Sequence, residues 1–444
     1  MDHQPQQRIK PSISSRNEAH FMYDVIGIGY GPANLALAIA IDDHNRSSAS
    51  GRKISALFLE RREKFSWHPG MMLPGATMQI SFLKDLVSFR DVTHRLSFLG
   101  YAQARGRLEH FVNKQTFFPT REEFADYLGW AAEAVSEYVW YGADVVSVSV
   151  VDAESAAMVQ LGSGEQLRAK AIVHAPGLQP YLPEGVESSG RVVHTSDILD
   201  AVTARDSPLR EVVVIGAGQS AAEVVEYLHD RDDQTVVHSV FSKVGYTPAD
   251  DSPFANRIFD PDMVDRWHAA PQDVRDRMFA YHRGTNYSAV DPELIEALYN
   301  REYEERVNGD RRLFMHNCTQ MVACVEDADG VNVTVRDLMT GEVDTLRADM
   351  VVFGSGYRQA DPVELFGEDS RWYGHDGQRP EVLRDYRWAP KRENVPMVFL
   401  NGGVEHTHGL TSSLLSNLAV RSGEILASLL HRGVGHEDSV SAAR

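Results

Sequence analysis

The chain is short of cysteine, of long apolar runs and of basic residues, and each shortage removes a class of protein. Only Cys318 and Cys324 occur in 444 residues, and they form no Cys-x-x-Cys pair. Neither a disulfide scaffold nor a dithiol redox centre is supported, and a reducing cytoplasm suits such a sequence. No apolar run has the length of a membrane helix, so no membrane partner is expected. Residues 1–20 are polar, contain prolines and lack the apolar core of a signal peptide, so they read as a disordered tail. Lys and Arg number 44 against 63 Asp and Glu, a net charge of -19. That balance disfavours a nucleic-acid groove or an anionic membrane surface, although one local basic pocket can still hold a phosphate.

What is present begins with Val25-Ile26-Gly27-Ile28-Gly29-Tyr30-Gly31-Pro32-Ala33-Asn34-Leu35-Ala36. The apolar lead-in predicts a buried parallel strand, the glycines a tight turn, and the alanine- and leucine-rich continuation a helix whose free N–H groups face the turn. That geometry binds a pyrophosphate. Gly27 permits the turn, Gly29 lets the backbone approach the phosphates, Asn34 caps or lines the helix start, and Pro32 stands where the usual fingerprint has its third glycine. A second copy, Val212-Val213-Val214-Ile215-Gly216-Ala217-Gly218-Gln219-Ser220-Ala221, argues for two dinucleotides in one chain.

After the first helix, the polar stretch Asp42–Lys53 reads as a surface loop and Ile54–Glu60 as a second strand. The strand ends in Glu60, the residue type that holds ribose hydroxyls. Its distance from the glycines exceeds the usual ~20 residues, an excess the loop accounts for. Phe65–Leu86 is broken early by prolines and glycines yet rich in large apolar side chains, which predicts a packed loop leading to a short helix. Gln79 and Lys84 are its long polar groups and candidate ligand contacts; taken alone, Lys84 equally fits a solvated lysine. Thr120 and Glu123 form a capping box, so a helix starts with Arg121 in its first turn. A cation there is unfavourable: either it is solvated or it answers an anion or a cofactor nearby.

Val145–Val151 and Ala156–Leu161 alternate as a hairpin, and Ala171–Pro180 returns to a buried strand. Thr235–Phe241 follows the second glycine motif. Ser242 and Lys243 stand at its end, where the first unit has Glu60, and a Ser plus Lys suits a ribose 2′-phosphate, hence NADPH over NADH. Val264–Tyr281 and Pro292–Val307 read as amphipathic helices, with Gly284-Thr285-Asn286-Tyr287 between them. Leu313–His316, Gln320–Cys324 and Val331–Val335 read as strands. Ala348–Tyr357 runs from a strand into a Gly-x-Gly turn like the segment that closes the flavin domain in two-dinucleotide enzymes. The C-terminal His408–Val420 leads into a helix to about Leu430; its start either meets an isoalloxazine edge or is an ordinary capped helix.

Taken together, these motifs resemble the flavin-dependent N-hydroxylating monooxygenases of siderophore biosynthesis, and most of all the L-ornithine N-monooxygenases. The resemblance runs from Tyr23 to about Leu430, through the two glycine motifs, Trp67-His68-Pro69-Gly70-Met71, Met78-Gln79-Ile80-Ser81-Phe82-Leu83-Lys84-Asp85-Leu86, Asp250-Asp251-Ser252-Pro253-Phe254-Ala255-Asn256, the Gly284–Tyr287 segment and the His408-Gly409-Leu410 tail. It implies an α/β fold of two Rossmann-like domains, with the NADPH domain inserted in the FAD domain. The boundaries expected are 21–205 for the first part of the FAD domain, 206–345 for the NADPH domain with a helical substrate-contacting insert, 346–432 for the rest of the FAD domain, and 433–444 for a tail.

The resemblance also implies site roles. Lys84 and Asn256 would bind the amino-acid carboxylate, and Asn286 the α-amino group and the nicotinamide. FAD would lie on Gly27, Gly29, Gly31, Pro32, Glu60, Trp67, His68, Met78, Gln79 and Leu415. NADPH would lie on Gly216, Gly218, Gln219, Ser220, Lys243, Arg121 and Asn286. NADPH would reduce FAD, dioxygen would add to give a hydroperoxyflavin, and the side-chain amine of L-ornithine would take its distal oxygen. A homotetramer is implied, and no metal. The chain departs from the family at Ser242-Lys243, where an arginine is usual, at Phe353–Tyr357, and at Ser412 in place of Asp. L-Lysine or a diamine is the alternative substrate. A Baeyer–Villiger or sulfur monooxygenase is the alternative enzyme; its Phe-x-Gly-x-x-x-His fingerprint is half present at Gly190–His194. A catalytically silent NADPH-binding regulator is the alternative from another class.

Overall fold

The structure, a computed structural model, describes residues 21–47, 52–151 and 155–435. Both expected tails therefore lie wholly or mostly outside the described residues. Two parallel sheets carry the two glycine motifs. In the first, Val139–Tyr141, Ala56–Glu60, Met22–Ile28 and Gln166–His174 run parallel in that order, and the antiparallel strands Ala156–Leu161 and Val145–Val151 extend the edge. Met397–Leu400 also pairs with Gln166–His174, so the C-terminal part completes this sheet. In the second sheet, Leu313–His316, Val236–Val240, Glu211–Ile215, Met350–Phe353 and Val192–His194 are all parallel. The second unit is thus inserted between two strands of the first.

This topology moves two expected boundaries. Met350–Phe353 pairs with Glu211–Ile215 and Val192–His194, so the Ala348–Tyr357 segment closes the second sheet and not the flavin-side sheet. Val192–His194, placed by sequence in the first unit, also belongs to the second. An apolar strand followed by Gly-x-Gly has the same local pattern in either sheet; only its partners differ.

Strand and helix meet closely at the first turn because the small residues fall where they must. A Cβ on Gly27 would lie 2.1 Å from the Phe58 ring, which packs there fully buried. The helix Pro32–Ser47 starts on proline, which has no N–H to leave unsatisfied. Its Ala36, Ala38 and Ala40 are fully buried, and the helix packs on the C-terminal helix Leu418–His431. It continues to Ser47, into the stretch expected to be a loop. Asp42 is buried and paired with Arg46 at 2.7 Å, and Asn45 exchanges hydrogen bonds with the Ile54 backbone. Polarity there serves packing.

Two other expectations change. Phe65–Leu86 forms a packed loop as expected, but its only helical turn is Pro69–Met71, and no helix follows before Phe98–Ala104. The buried Asp85 carboxylate accepts from the N–H groups of Val87, Ser88 and Phe98 at 2.9, 2.6 and 2.8 Å, which fixes turns instead. Val264–Tyr281 is two helices, Met263–Ala269 and Gln272–His282, because Pro271 interrupts them. Thr120 does cap the helix: its hydroxyl accepts from Glu123 N–H at 3.1 Å and the helix runs Arg121–Glu133, while the Glu123 carboxylate approaches Arg107 at 3.9 Å, so only the threonine half of the expected box is present. Thr319–Glu326, Val331–Asp337 and Val343–Ala348 make a three-stranded antiparallel sheet, whose Val331, Val333 and Val335 pack on Val213 and Val240 of the second sheet.

Candidate active site

At the first turn Gly29 has φ 83°, and a Cβ there would lie 2.4 Å from the Ala175 carbonyl oxygen. A side chain is excluded both by conformation and by space. At Gly31 a Cβ would meet nothing within 4 Å, so open space stands over the turn, facing the helix start. Glu60, at the end of its strand, accepts from Tyr30 N–H at 2.9 Å and from Arg62 N–H at 3.0 Å. One bond per oxygen leaves lone pairs for ribose hydroxyls. Asn34 is fully buried and lines the turn without capping the helix: its amide donates to the Gly29 carbonyl at 2.8 Å.

Around this turn the other expected FAD residues divide. Trp67 and His68 stack edge to face at 4.9 Å, and His68, with φ 46°, lies 6.3 Å from the Tyr357 ring. Burial, and then Arg121 and Arg62, push the His68 pKa down to about 4, so its imidazole is neutral at pH 7. Met78 is buried, whereas Gln79 is exposed to a large cavity. Leu415 packs on the first core, next to Leu414 in the cavity wall. Just beyond, both ends of the buried Asn417 amide and the buried Ser412 hydroxyl have no partner among the described residues. Buried polar atoms without partners are rare. A flavin edge, with its alternating donors and acceptors, suits that place, and the open cradle at Gly31 suits the pyrophosphate of FAD.

The cavity, of about 860 Å³, opens beside the second turn. Gly216 has φ 143°, and a Cβ there would lie 2.4 Å from the Gly354 carbonyl oxygen. Gly354 in turn has no room for a Cβ, which would sit 2.6 Å from that of Ala221. This explains the second Gly-x-Gly at Gly354–Gly356: two backbones cross there. Gly218 caps the 13-residue helix Gln219–Arg231 without a side-chain bond, and Gly218, Gln219 and Ser220 line the cavity. An uncapped helix start facing a cavity is an anion site, and Arg275, Arg283, Arg358 and Arg379 line the same space. These residues fit NADPH.

Arg121 has its anion within the protein. Its guanidinium grips Glu223 at 2.7 and 2.9 Å and donates to the Met71 carbonyl at 2.9 Å. It therefore ties the helix of the second turn to the Met71 backbone, and it is not among the residues lining the cavity. Gln219 donates to Glu223 at 3.1 Å and to Asp291 at 3.0 Å, and Gln79 reaches Asp291 at 3.4 Å. A continuous polar chain thus joins Met71 and Gln79 of the first unit to the second turn. Lys243 stands beside Ser288 of the cavity wall, donating to its carbonyl at 2.6 Å and to Thr247 at 3.0 Å. Burial, and then Arg283, lower its pKa. Arg283 is the exposed, cavity-facing cation of the pair; sequence reading passed over it, although it stands three residues before Asn286.

The expected substrate residues converge on one apolar cluster. The Lys84 ammonium lies 5.5 Å from the Phe259 ring centroid, and Phe259 shares the turn Ala255–Phe259 with Asn256. Phe259 packs with Trp267, Phe279 and Tyr287, the neighbour of Asn286. The Lys84 side chain is half-buried and its ammonium has no hydrogen bond or ion pair to the described residues; burial lowers its pKa, against Asp260. Asn256 donates to the Asp251 carbonyl at 2.7 Å. Asn286 lines the cavity, while Lys84 and Asn256 stand outside its wall. Tyr287, Glu405 and Ser413 also line it and were not foreseen.

A sequence profile of L-lysine 6-monooxygenase/L-ornithine 5-monooxygenase matches residues 21–359. An L-ornithine N(5)-monooxygenase of Burkholderia cepacia is 38% identical over 403 residues, 87% of this chain and 90% of its own. The Kutzneria sp. 744 ornithine N-hydroxylase, solved with reduced FAD, NADP⁺ and L-ornithine, superposes with a TM-score of 0.88 at 43% identity, covering 93% of this chain and 99% of that one. The L-lysine 6-monooxygenase of Pseudomonas syringae gives 0.82 at 30% identity, covering 93% and 100%. With two glycine turns, two parallel sheets and these relatives over almost its whole length, the chain belongs to the L-lysine 6-monooxygenase/L-ornithine 5-monooxygenase family.

Proposed function

We propose that the protein is an FAD- and NADPH-dependent monooxygenase that hydroxylates the side-chain amine of free L-ornithine. The observation that carries the substrate reading is Lys84: a half-buried ammonium with no hydrogen bond or ion pair among the described residues, beside the turn that holds Asn256, calls for a carboxylate from outside. FAD, reduced by NADPH and supplied with dioxygen, provides the oxygen atom. The protein's residues do the rest. Lys84 and Asn256 hold the amino-acid carboxylate, and Asn286 its α-amino group and the nicotinamide. Gly27, Gly29, Gly31, Pro32 and Glu60 carry FAD, with Trp67, His68, Met78, Gln79 and Leu415 around its ring. Gly216, Gly218, Gln219 and Ser220 carry NADPH, Lys243 and Arg283 its 2′-phosphate, and Arg121 braces that turn.

Because one end of a flexible chain is anchored, methylene count sets where the reacting nitrogen stands. Ornithine is favoured by its relatives here, and lysine overshoots by one carbon. The test is hydroxylamine formed per NADPH consumed, with ornithine and lysine side by side. Lysine should consume NADPH with peroxide as product; lysine coupled as well as ornithine refutes the substrate assignment. We extend the proposal to a cytoplasmic homotetramer supplying a hydroxamate siderophore or related natural product, for which light scattering of the purified protein tests the assembly.

A further inference from the structure

The amine must lose a proton before it can act as a nucleophile, and the residues so far assigned give that proton no destination. A primary alkyl ammonium has a pKa of about 10.4, so at pH 7 its neutral fraction in water is below about one in a thousand. One part of the cavity wall answers this need. Glu405, 7% exposed, begins the short helix Glu405–His408, and its carboxylate accepts a hydrogen bond from the Tyr287 hydroxyl. Both side chains line the cavity together with Asn286 and Ser413. The Asn286 side chain stands beside Tyr287, and Ser413 beside Glu405. A carboxylate so far removed from water is rare without a cationic partner, and no ion pair reaches it among the described residues.

We propose that Tyr287 and Glu405 form the relay that takes the proton from the substrate's side-chain ammonium. The ammonium donates to the Tyr287 oxygen; as its N–H bond breaks and a new O–H bond forms there, the original Tyr287 O–H proton passes to the Glu405 carboxylate. The result is a neutral amine, an unchanged tyrosine and a protonated Glu405, with no change of total charge. The proton returns to solvent through the open cavity after turnover. This role rests on the amine-hydroxylating function proposed above.

The surroundings suit a group that takes up and releases a proton. Burial raises the Glu405 pKa, while the bond from Tyr287, the nearby Ser413 and the charge of Arg379 oppose that rise. Burial, and then Glu405, raise the Tyr287 pKa, with Arg283 opposing, so the tyrosine passes a proton without resting as a phenolate. Other titratable groups packed nearby are occupied. His406 faces the Pro380 carbonyl at 2.8 Å with Arg379 and Arg275 about it. His268 and His408 face the carbonyls of Val382 and Arg384.

The experiment measures hydroxylated ornithine per turnover from pH 6 to pH 10 in the holoenzyme, for wild type, Glu405→Gln and Tyr287→Phe, with flavin reduction by NADPH followed separately. General-base removal costs about 10²-fold or more. Because both side chains line the cavity assigned to NADPH, the flavin-reduction rate of each variant is divided out; the remaining hydroxylation step should lose about that at pH 7 and recover roughly tenfold per pH unit as the free amine becomes available. In wild type, ornithine should also raise the infrared carbonyl band of a protonated carboxyl that Glu405→Gln lacks. A pH profile unchanged in both variants, or a loss equal at every pH, overturns the relay. If Glu405→Gln does not fold, Tyr287→Phe decides alone by the same profile. Failure of the wild type to hydroxylate ornithine would instead overturn the function itself.

Discussion

Lys84→Ala separates substrate binding from every other task of the protein. The ammonium is half-buried over Phe259 and has no partner among the described residues, so the folded chain bears part of the cost of its desolvation and receives no ion pair in return. Removing it should leave Tm unchanged or raise it. The effect on substrate has the opposite sign. A charged hydrogen bond contributes about 1.5–3 kcal/mol, and removing one partner of a fully buried pair costs about 3–5 kcal/mol. Half-burial places Lys84 in the upper part of the first range, about 2–3 kcal/mol. At about 1.4 kcal/mol per tenfold, the KM for ornithine should rise about 30- to 150-fold. The assay is hydroxylamine formation against ornithine concentration, with anaerobic flavin reduction by NADPH as the control. Lys84 stands outside the wall of the cavity assigned to NADPH, so reduction should stay within about twofold by this geometry. A KM within threefold of wild type, or a Tm that drops by many degrees, would show that the ammonium is structural and refute the reasoning.

Three further outcomes are expected. Gly29→Val must place a branched side chain at φ 83° with its Cβ 2.4 Å from the Ala175 oxygen, so the variant should purify with little flavin; full occupancy by visible absorbance would remove FAD from that turn. Lys243→Ala and Arg283→Ala should each lower the preference for NADPH over NADH by about ten- to a hundredfold, and equal losses with both coenzymes would place the 2′-phosphate elsewhere. Burial holds His68, His174 and His316 near pKa 4 and His408 near 3, below the unfolded value of 6.5. Their contribution is therefore complete above pH 6.5 and falls as the pH drops toward 4, where the unfolded chain binds protons the folded chain refuses. For the fully buried His174 that is about 3 kcal/mol. Denaturant midpoints flat between pH 7 and 4.5 would contradict it.

The parts legible in the sequence were those decided by neighbours a few residues apart. The turns at Gly29 and Gly216, the Thr120 cap and the strand leading to Glu60 are local steric or hydrogen-bonding solutions, and the structure contains each. Long-range pairing was not legible. Met350–Phe353 carries the same signature as the strands of either sheet, and only its partners in Glu211–Ile215 and Val192–His194 assign it. Arg121 announced itself as a misplaced cation, but its anion, Glu223, lies 102 residues away. Tyr287 and Glu405 are 118 residues apart and meet only because the inserted unit folds back on the C-terminal segment. An exposed polar run misled in the opposite direction: Asp42 and Asn45 are polar because they bond inside the helix's surroundings, not because water covers them.

The hydrogen-bonding abilities of three buried side chains explain how the C-terminal segment controls the first turn. Arginine can only donate. The Arg421 guanidinium, 3% exposed, donates to Asn401 Oδ1 at 2.9 Å and to the Ser412 carbonyl at 2.6 Å. Asn401 must therefore present its oxygen to Arg421 and its NH₂ elsewhere, and that NH₂ meets Asn34 Oδ1 at 3.1 Å. Asn34, having accepted there, must donate with its own NH₂, which goes to the Gly29 carbonyl at 2.8 Å. No amide in the series can be flipped without breaking the next bond. The peptide joining Gly29 to Tyr30 is then held at both ends, its carbonyl by Asn34 and its N–H by Glu60 at 2.9 Å. Because that N–H is spent on Glu60, a phosphate at this turn is left the N–H of Gly31 and those of the helix's first turn beyond Pro32, which have no intrahelical acceptor. The same arginine fixes the Ser412 backbone, so the first glycine turn and the Ser412 segment are set by one buried charge.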